Sequence, residues 1–172
     1  MEKLYKKIEK ISEIYIKRKK ELEDGVIPKL EIPLYIYTGK VLQDYQRGMG
    51  VFIKKASKGI KFVPEAGSDQ DLVNSFSSGQ LSGFVVVLML VMNKLFKERE
   101  NGLDTLLVDD PFHTLDDVNM TSLIEILRRT FYRNQIILSS HEDKKIGYIL
   151  YKYSKFNLKA KELDVKNEFF NI

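Results

Sequence analysis

The sequence predicts an α/β fold with a mainly parallel sheet flanked by helices, and three observations point there. TLLV at 105–108 and QIIL at 135–138 are short apolar runs of strand length, each followed by polar residues. Between them, LDDVNMTSLIEILRRTF (115–131) places Leu123, Ile124, Ile126 and Leu127 on one helical face. Ahead of the first run lies Leu81–Phe96, an apolar segment of helical length. Helix, strand, helix, strand in close succession is the pattern of parallel strands joined by crossovers.

From the N-terminus, residues 1–24 contain neither Gly nor Pro. Leu4, Ile8, Ile11, Tyr15 and Leu22 follow a/d heptad spacing, with Arg18 at the one polar seam position. Two readings stay open: a coiled-coil strand, or an amphipathic helix packed on its own domain. Gly25 and Pro28 are expected to stop this helix, dividing the chain into a helical stub at 1–27 and a domain at 28–172. LYIY (34–37), VFI (51–53) and IKFV (60–63) read as strands, the last two joined through KKASKG as a hairpin. GSDQDLVNS (67–75) is a polar loop. Leu81–Phe96 is apolar almost all round, so a buried helix is expected, ending near Asn101-Gly102 after the charged tail KEREN.

Composition narrows the chemistry. With 172 residues, 44% apolar and a net charge of +4, the chain is globular rather than disordered. It has no cysteine, which excludes disulfides, thiolate metal sites and cysteine nucleophiles. Its two histidines, His113 and His141, argue against a multi-histidine zinc centre, and His113 is expected at the surface without chemistry. The longest unbroken apolar run, Phe84–Met92, falls short of the roughly 20 residues that span a bilayer. MEKLYKKIEK lacks the apolar stretch of a signal peptide. No membrane partner and a cytoplasmic, reducing location are therefore expected. A pI near 9.0 favours an acidic partner such as nucleic acid. Lys54, Lys55, Lys58 and Lys61 are candidates for phosphate-backbone contact, or simply a solvated face.

Two clusters can carry chemistry. Strand ends in open α/β sheets are where ligands bind, and here they hold Asp109-Asp110 and Ser139-Ser140-His141-Glu142. Asp109 suits a Mg²⁺ ion and Asp110 suits orienting a water, or else Asp110 caps the turn opened by Pro111. Phe76-Ser77-Ser78-Gly79-Gln80 precedes the long apolar helix. It is either an anion site at a helix N-terminus or an ordinary N-cap.

Taken in order, FSSGQ at 76–80, TLLVDDP at 105–111, HTLDD at 113–117 and SSHE at 139–142 resemble the C-terminal half of an ABC-type ATPase head. FSSGQ is similar to the LSGGQ signature, with Phe76 for Leu and Ser78 for Gly. TLLVDD resembles the Walker B strand, HTLDD the D-loop, and SSHE the switch with its H-loop histidine. The resemblance covers roughly residues 48–145 and points to the SMC, RecF and RecN-type chromosome and repair ATPases. The apolar helix after the signature, LDDVN, and the heptads as the stub of a returning arm are the features that resemble SMC heads. The fold implied is the C-terminal lobe of such a head.

The resemblance also implies roles. Ser77, Ser78, Gly79 and Gln80 would contact ATP held by a second head, in trans. Asp109 would position Mg²⁺, Asp110 would polarise the attacking water, and His141 would sense the γ-phosphate. Leu115 and Asp116 would belong to the D-loop between the two sites. Two departures bear on this. No GxxxxGK[ST] loop occurs, since TGK at 38–40 lacks both the preceding glycine and the following hydroxyl residue. The chain is thus expected to be half a head, a piece of a longer protein or a split gene product, inactive by itself. Asp110 stands where many members have Glu, which bears on hydrolysis. Implied partners are an N-terminal Walker A lobe, a second head and DNA, in a cytoplasmic or nucleoid setting. The alternatives are a non-catalytic ABC-like module that dimerises or binds DNA, and a transporter nucleotide-binding lobe.

Overall fold

The computed structural model describes residues 2–42, 50–56, 59–96 and 104–170. The first element, α1 (Glu2–Leu42), runs through Gly25, Pro28 and Pro33. The expected stop at Gly25 and Pro28 is therefore corrected, and LYIY is the penultimate turn of a helix rather than a strand. An interior proline costs a helix about 3 kcal/mol through its missing N–H and its clash with the preceding turn. Here tertiary burial offsets that cost: Ile27, Leu30, Leu34, Val41 and Leu42 are all buried, at about 1.5–3 kcal/mol for each large side chain. Thr38 locks the end of the helix. Its buried hydroxyl donates to the Leu34 carbonyl at 2.6 Å and accepts from the Val51 N–H at 2.9 Å. TGK is thus helical and structural.

From Leu4 to Leu22, α1 is bare. Leu4, Ile8, Ile11, Tyr15 and Leu22 are all exposed, so the heptad stripe does not pack on its own domain.

Next come β1 (Phe52–Ala56) and β2 (Gly59–Val63), an antiparallel hairpin pairing Phe52 with Val63. Much of KKASKG is strand rather than loop; Ser57 and Lys58 lie outside the described residues. Lys54 pairs with Asp69 at 2.5 Å and Lys55 with Asp24 at 2.7 Å. Two of the candidate phosphate-binding lysines are therefore engaged within the lobe.

After a short 3-10 turn at Leu72–Asn74, helix α2 (Ser78–Phe96) packs on α1. Gly83 permits the approach, since a Cβ there would stand 3.1 Å from Leu42 Cδ2 and 3.2 Å from Leu115 Cδ2. Phe84 meets Phe62 edge-on at 5.0 Å. By length and composition alone α2 could cross a membrane, yet its inner face of Phe84, Val87, Leu90 and Val91 lies in the core of this lobe. The expectation of burial all round is corrected: Val85, Met89, Met92 and Phe96 form an exposed stripe. The expected end near Asn101-Gly102 lies outside the described residues.

The remaining elements are β3 (Thr105–Val108), α3 (Asp117–Thr130), β4 (Gln135–Leu138), α4 (Asp143–Lys155) and α5 (Val165–Phe170). β3 and β4 pair in parallel, Leu107 beside Ile137. Among the described residues the parallel sheet has only these two strands, so the mainly parallel sheet of the expectation is present as a fragment beside a separate antiparallel hairpin. One face of it, with Leu106, Val108, Ile136 and Leu138, packs on the core. On the other, Leu107 is 72% and Ile137 48% exposed. Helix α3 buries Leu123, Ile124, Ile126 and Leu127, the face its periodicity marks.

Leu34→Ala is expected to cost about 2–5 kcal/mol in urea unfolding, because Leu34 is fully buried. Ile11→Ala, on the bare arm, should change stability by less than about 0.5 kcal/mol.

Candidate functional site

The carboxyl ends of β3 and β4 lie side by side, and their register sets the site. Val108 pairs with Leu138, so the residues that follow each strand emerge together. Ser139 clamps the β3 end: its hydroxyl donates to Asp109 Oδ1 and accepts from the Asp110 N–H at 2.9 Å. Asp110 has left-handed backbone, φ 41°, a conformation a non-glycine residue adopts only when its surroundings hold it there. Here Asp110 Oδ2 lies 2.8 Å from His141 Nδ1, while its Oδ1 is buried with no hydrogen-bond partner.

The turn after Asp110 is anchored by Phe112, which is fully buried. The Phe112 carbonyl accepts from Lys145 Nζ at 2.6 Å, and Lys145 also pairs with Glu142 at 2.7 Å. Lys145, in the first turn of α4, therefore ties the two strand-end loops together. Sequence reading missed it, because a lysine in a polar helix start carries no distinctive signal. His113 closes the turn, its N–H directed to the Asp110 carbonyl at 3.4 Å. The rings of His113 and His141 stand 4.9 Å apart. The only two histidines of the chain are thus neighbours around one carboxylate.

Asp109, Asp110 and His141 are brought together. The signature residues form their own structure at the start of α2. The Ser77 N–H donates to Gln80 Oε1 at 2.9 Å and the Gln80 N–H to Ser77 Oγ at 3.3 Å. This reciprocal pair is a capping box, so the N-cap reading of Ser77 holds geometrically. The box engages the Ser77 and Gln80 N–H groups, which leaves the first-turn N–H groups of Ser78 and Gly79 for an anion, where the helix dipole favours negative charge. Gly79 has a second reason to be glycine: a Cβ would stand 2.6 Å from the Thr114 carbonyl. The start of α2 and the 113–116 turn therefore lie against each other. Leu115 is buried in the core, and Asp116 caps α3 by accepting from the Asn119 N–H at 2.7 Å.

No family model and no curated protein matches the sequence. Solved structures do. One, from work on ATP-driven dimerization and DNA-stimulated activation of SMC ATPases, superposes with a TM-score of 0.55 at 14% identity, over 74% of this chain and 76% of that one. The Smc head bound to the C-winged helix domain of ScpA gives 0.55 at 16%, over 76% of this chain and 40% of that one. An Smc head with an extended coiled coil, bound to the C-terminal domain of ScpA derived from Pyrococcus furiosus, gives 0.52 at 16%, over 85% and 37%. The fold is that of an SMC-like ABC ATPase head.

The chain spans about 40% of the length of the two ScpA-bound heads. Within the SMC-like head fold, the bare outer face of the two-stranded sheet stands out, because parallel sheets are ordinarily covered on both faces.

Two predictions follow from this geometry. Gly79→Ala should destabilise the lobe by about 1–3 kcal/mol in urea unfolding, since the added methyl meets backbone that cannot rotate away. The second concerns acid. The Lys145 hydrogen bond holds the Glu142 carboxyl below its ordinary value of 4.5, and the Arg128 hydrogen bond does the same for Glu125. A depressed folded-state pKa gives stability that is present above 4.5 and lost as pH falls through the folded value. The urea midpoint should therefore decline below that pH, and less steeply in a Glu125→Gln, Glu142→Gln double variant.

Proposed function

We propose that this chain is the C-terminal lobe of an SMC-like ATPase head that completes an ATP site on dimerisation and couples ATP to DNA maintenance, repair or defence. The observation that carries this is the convergence of Asp109, Asp110, Ser139 and His141 at one sheet edge, where the motif order assigns the hydrolytic groups. The neighbouring solved structures supply the fold, and one comes from work on ATP-driven dimerization of SMC ATPases.

The residues suit the groups they would take. Asp109 is an exposed carboxylate oriented by a serine hydroxyl, and Mg²⁺ is usually held through one or two carboxylates together with substrate phosphates. Mg²⁺, when bound, neutralises charge on the β- and γ-phosphates. Ser77, Ser78, Gly79 and Gln80 would meet a γ-phosphate presented by a second head, through the first-turn N–H groups of α2. Asp110 would hold the attacking water with His141 steadying its carboxylate. Catalysis of this type rests on positioning and electrostatics, so one lobe without a phosphate loop should turn over almost nothing.

The missing partner is an N-terminal lobe carrying that loop. Its support is the bare face of Leu107 and Ile137 and the exposed Val85, Met89, Met92 stripe of α2, both apolar surfaces that a monomer rarely leaves open together. The bare heptads of α1 would pair with the other strand of a coiled-coil arm. Whether the assembled head then meets DNA through this lobe falls to lysines not already paired. A cytoplasmic, nucleoid-associated location belongs to the same proposal.

With the partner lobe supplied, Asp110→Asn should abolish turnover and trap an ATP-bound dimer, read by size-exclusion chromatography with light scattering. Ser77→Arg should block dimerisation while leaving ATP binding to the partner lobe intact. Unchanged turnover in Asp110→Asn would favour the second reading, a non-catalytic ABC-like module. That reading draws on Asp110 replacing the longer glutamate, and it also requires that changing Asp109 or His141 has no effect.

A further inference from the structure

We infer that Asp110, His113 and His141 form a binding site for a divalent transition-metal ion, with Zn²⁺ as the best fit. The motif assignment uses Asp110 and His141 but gives His113 nothing to do. One potential ligand atom from each of the three lies within 4.8 Å of the others. Oδ2 of Asp110 is 2.8 Å from His141 Nδ1 and 4.0 Å from His113 Nδ1. Two ligands on a tetrahedral Zn²⁺ at about 2.1 Å stand about 3.3 Å apart, so the observed separations bracket the required edge and rotation of the imidazoles would close it.

The scaffold favours this arrangement. His113 sits at the end of a turn held by buried Phe112 and the Lys145 bond to its carbonyl. His141 follows the strand that Ser139 fixes to β3. Asp110 carries the strain of a left-handed backbone and leaves Oδ1 buried without a partner. An orphaned carboxylate oxygen is costly, and a cation at this carboxylate compensates it.

Donor chemistry selects the metal. Two imidazoles and one carboxylate suit Zn²⁺ and its neighbours rather than Mg²⁺, which takes oxygen ligands. Among the described residues the set has three protein ligands, the composition of an open site that keeps a water or substrate oxygen in its fourth position. Both histidines are exposed, so the ion has a path in. A bound Zn²⁺ would occupy the carboxylate that the proposed function assigns to water and so would silence turnover; that consequence rests on the ATPase reading, whereas the site itself does not.

The test uses the 172-residue chain without nucleotide. Because the two histidines are the only ones, their imidazole ¹⁵N signals are unambiguous. Titration with Zn²⁺ should shift both together, saturating at one equivalent, and Co²⁺ should give visible d–d absorption that Zn²⁺ displaces. His113→Ala, on an exposed side chain whose loss leaves the fold intact, should weaken Co²⁺ binding by at least about tenfold, and Asp110→Ala likewise. Imidazole signals that stay still, or move without saturating near one equivalent, overturn the site. Equal Co²⁺ affinity in His113→Ala also overturns it, whatever the assembled head does with ATP.

Discussion

The second half of α1 is the constraint on which the lobe depends. Helix α1 packs against β1, α2 and α3 alike, and its buried half does so with two prolines in its path. A helix that breaks the local rules persists only when what it buries outweighs what it loses. Leu34, Thr38 and Val41 are completely covered, and the Thr38 hydroxyl serves as an acceptor for the chain returning at Val51. Gly83 lets α2 settle on this surface, and the same glycine faces Leu115. The packing of α1 is thereby linked to the turn that carries His113, Thr114 and Leu115.

That linkage has a functional corollary. The exposed arm, residues 4–22, is one continuous helix with the buried segment. Displacing the arm must tilt or strain the buried turns, and those turns contact α2, whose first turn carries Ser78, Gly79 and Gln80. Gly79 in turn abuts the Thr114 carbonyl, one residue from His113. Arm, first turn of α2 and strand-end cluster are therefore joined by close contacts with little slack. Close-packed interiors transmit displacement rather than absorb it, so a shift of the arm is felt at the strand ends.

Much of this was legible in the sequence, for identifiable reasons. β3 and β4 announce themselves because short apolar runs ending in polar residues have few alternatives. Serines ahead of the long apolar helix are a local N-cap signal that needs no tertiary context, whereas the Asp116 cap went unread because the motif resemblance gave that residue another role. Where local and tertiary forces disagree, sequence reading failed. Gly25, Pro28 and Pro33 signal an end to the helix that the burial of Leu30 and Leu34 overrides. LYIY has strand-like composition but lies on a helix whose period places Leu34 and Thr38 inward. The exposed stripe of α2 could not be seen because composition says how apolar a helix is, not which of its faces finds a neighbour. The pairing of His113 with His141 was hidden for the same reason: only the register of β3 against β4 brings them together.

The uncovered face of the sheet bears on how firmly the strand-end cluster is held. A two-stranded parallel sheet with Leu107 and Ile137 facing solvent forgoes about 25 cal/mol per Å² of apolar surface left uncovered. Covering that face would rigidify β3 and β4, and with them the Asp109–Ser139 and Asp110–His141 contacts that hang from their ends. Asp109, Asp110, Ser139 and His141 are thus held by the strands with the most apolar surface left to bury. The geometry of the cluster is only as firm as the sheet beneath it, and whatever covers Leu107 and Ile137 stiffens the cluster through the same contact.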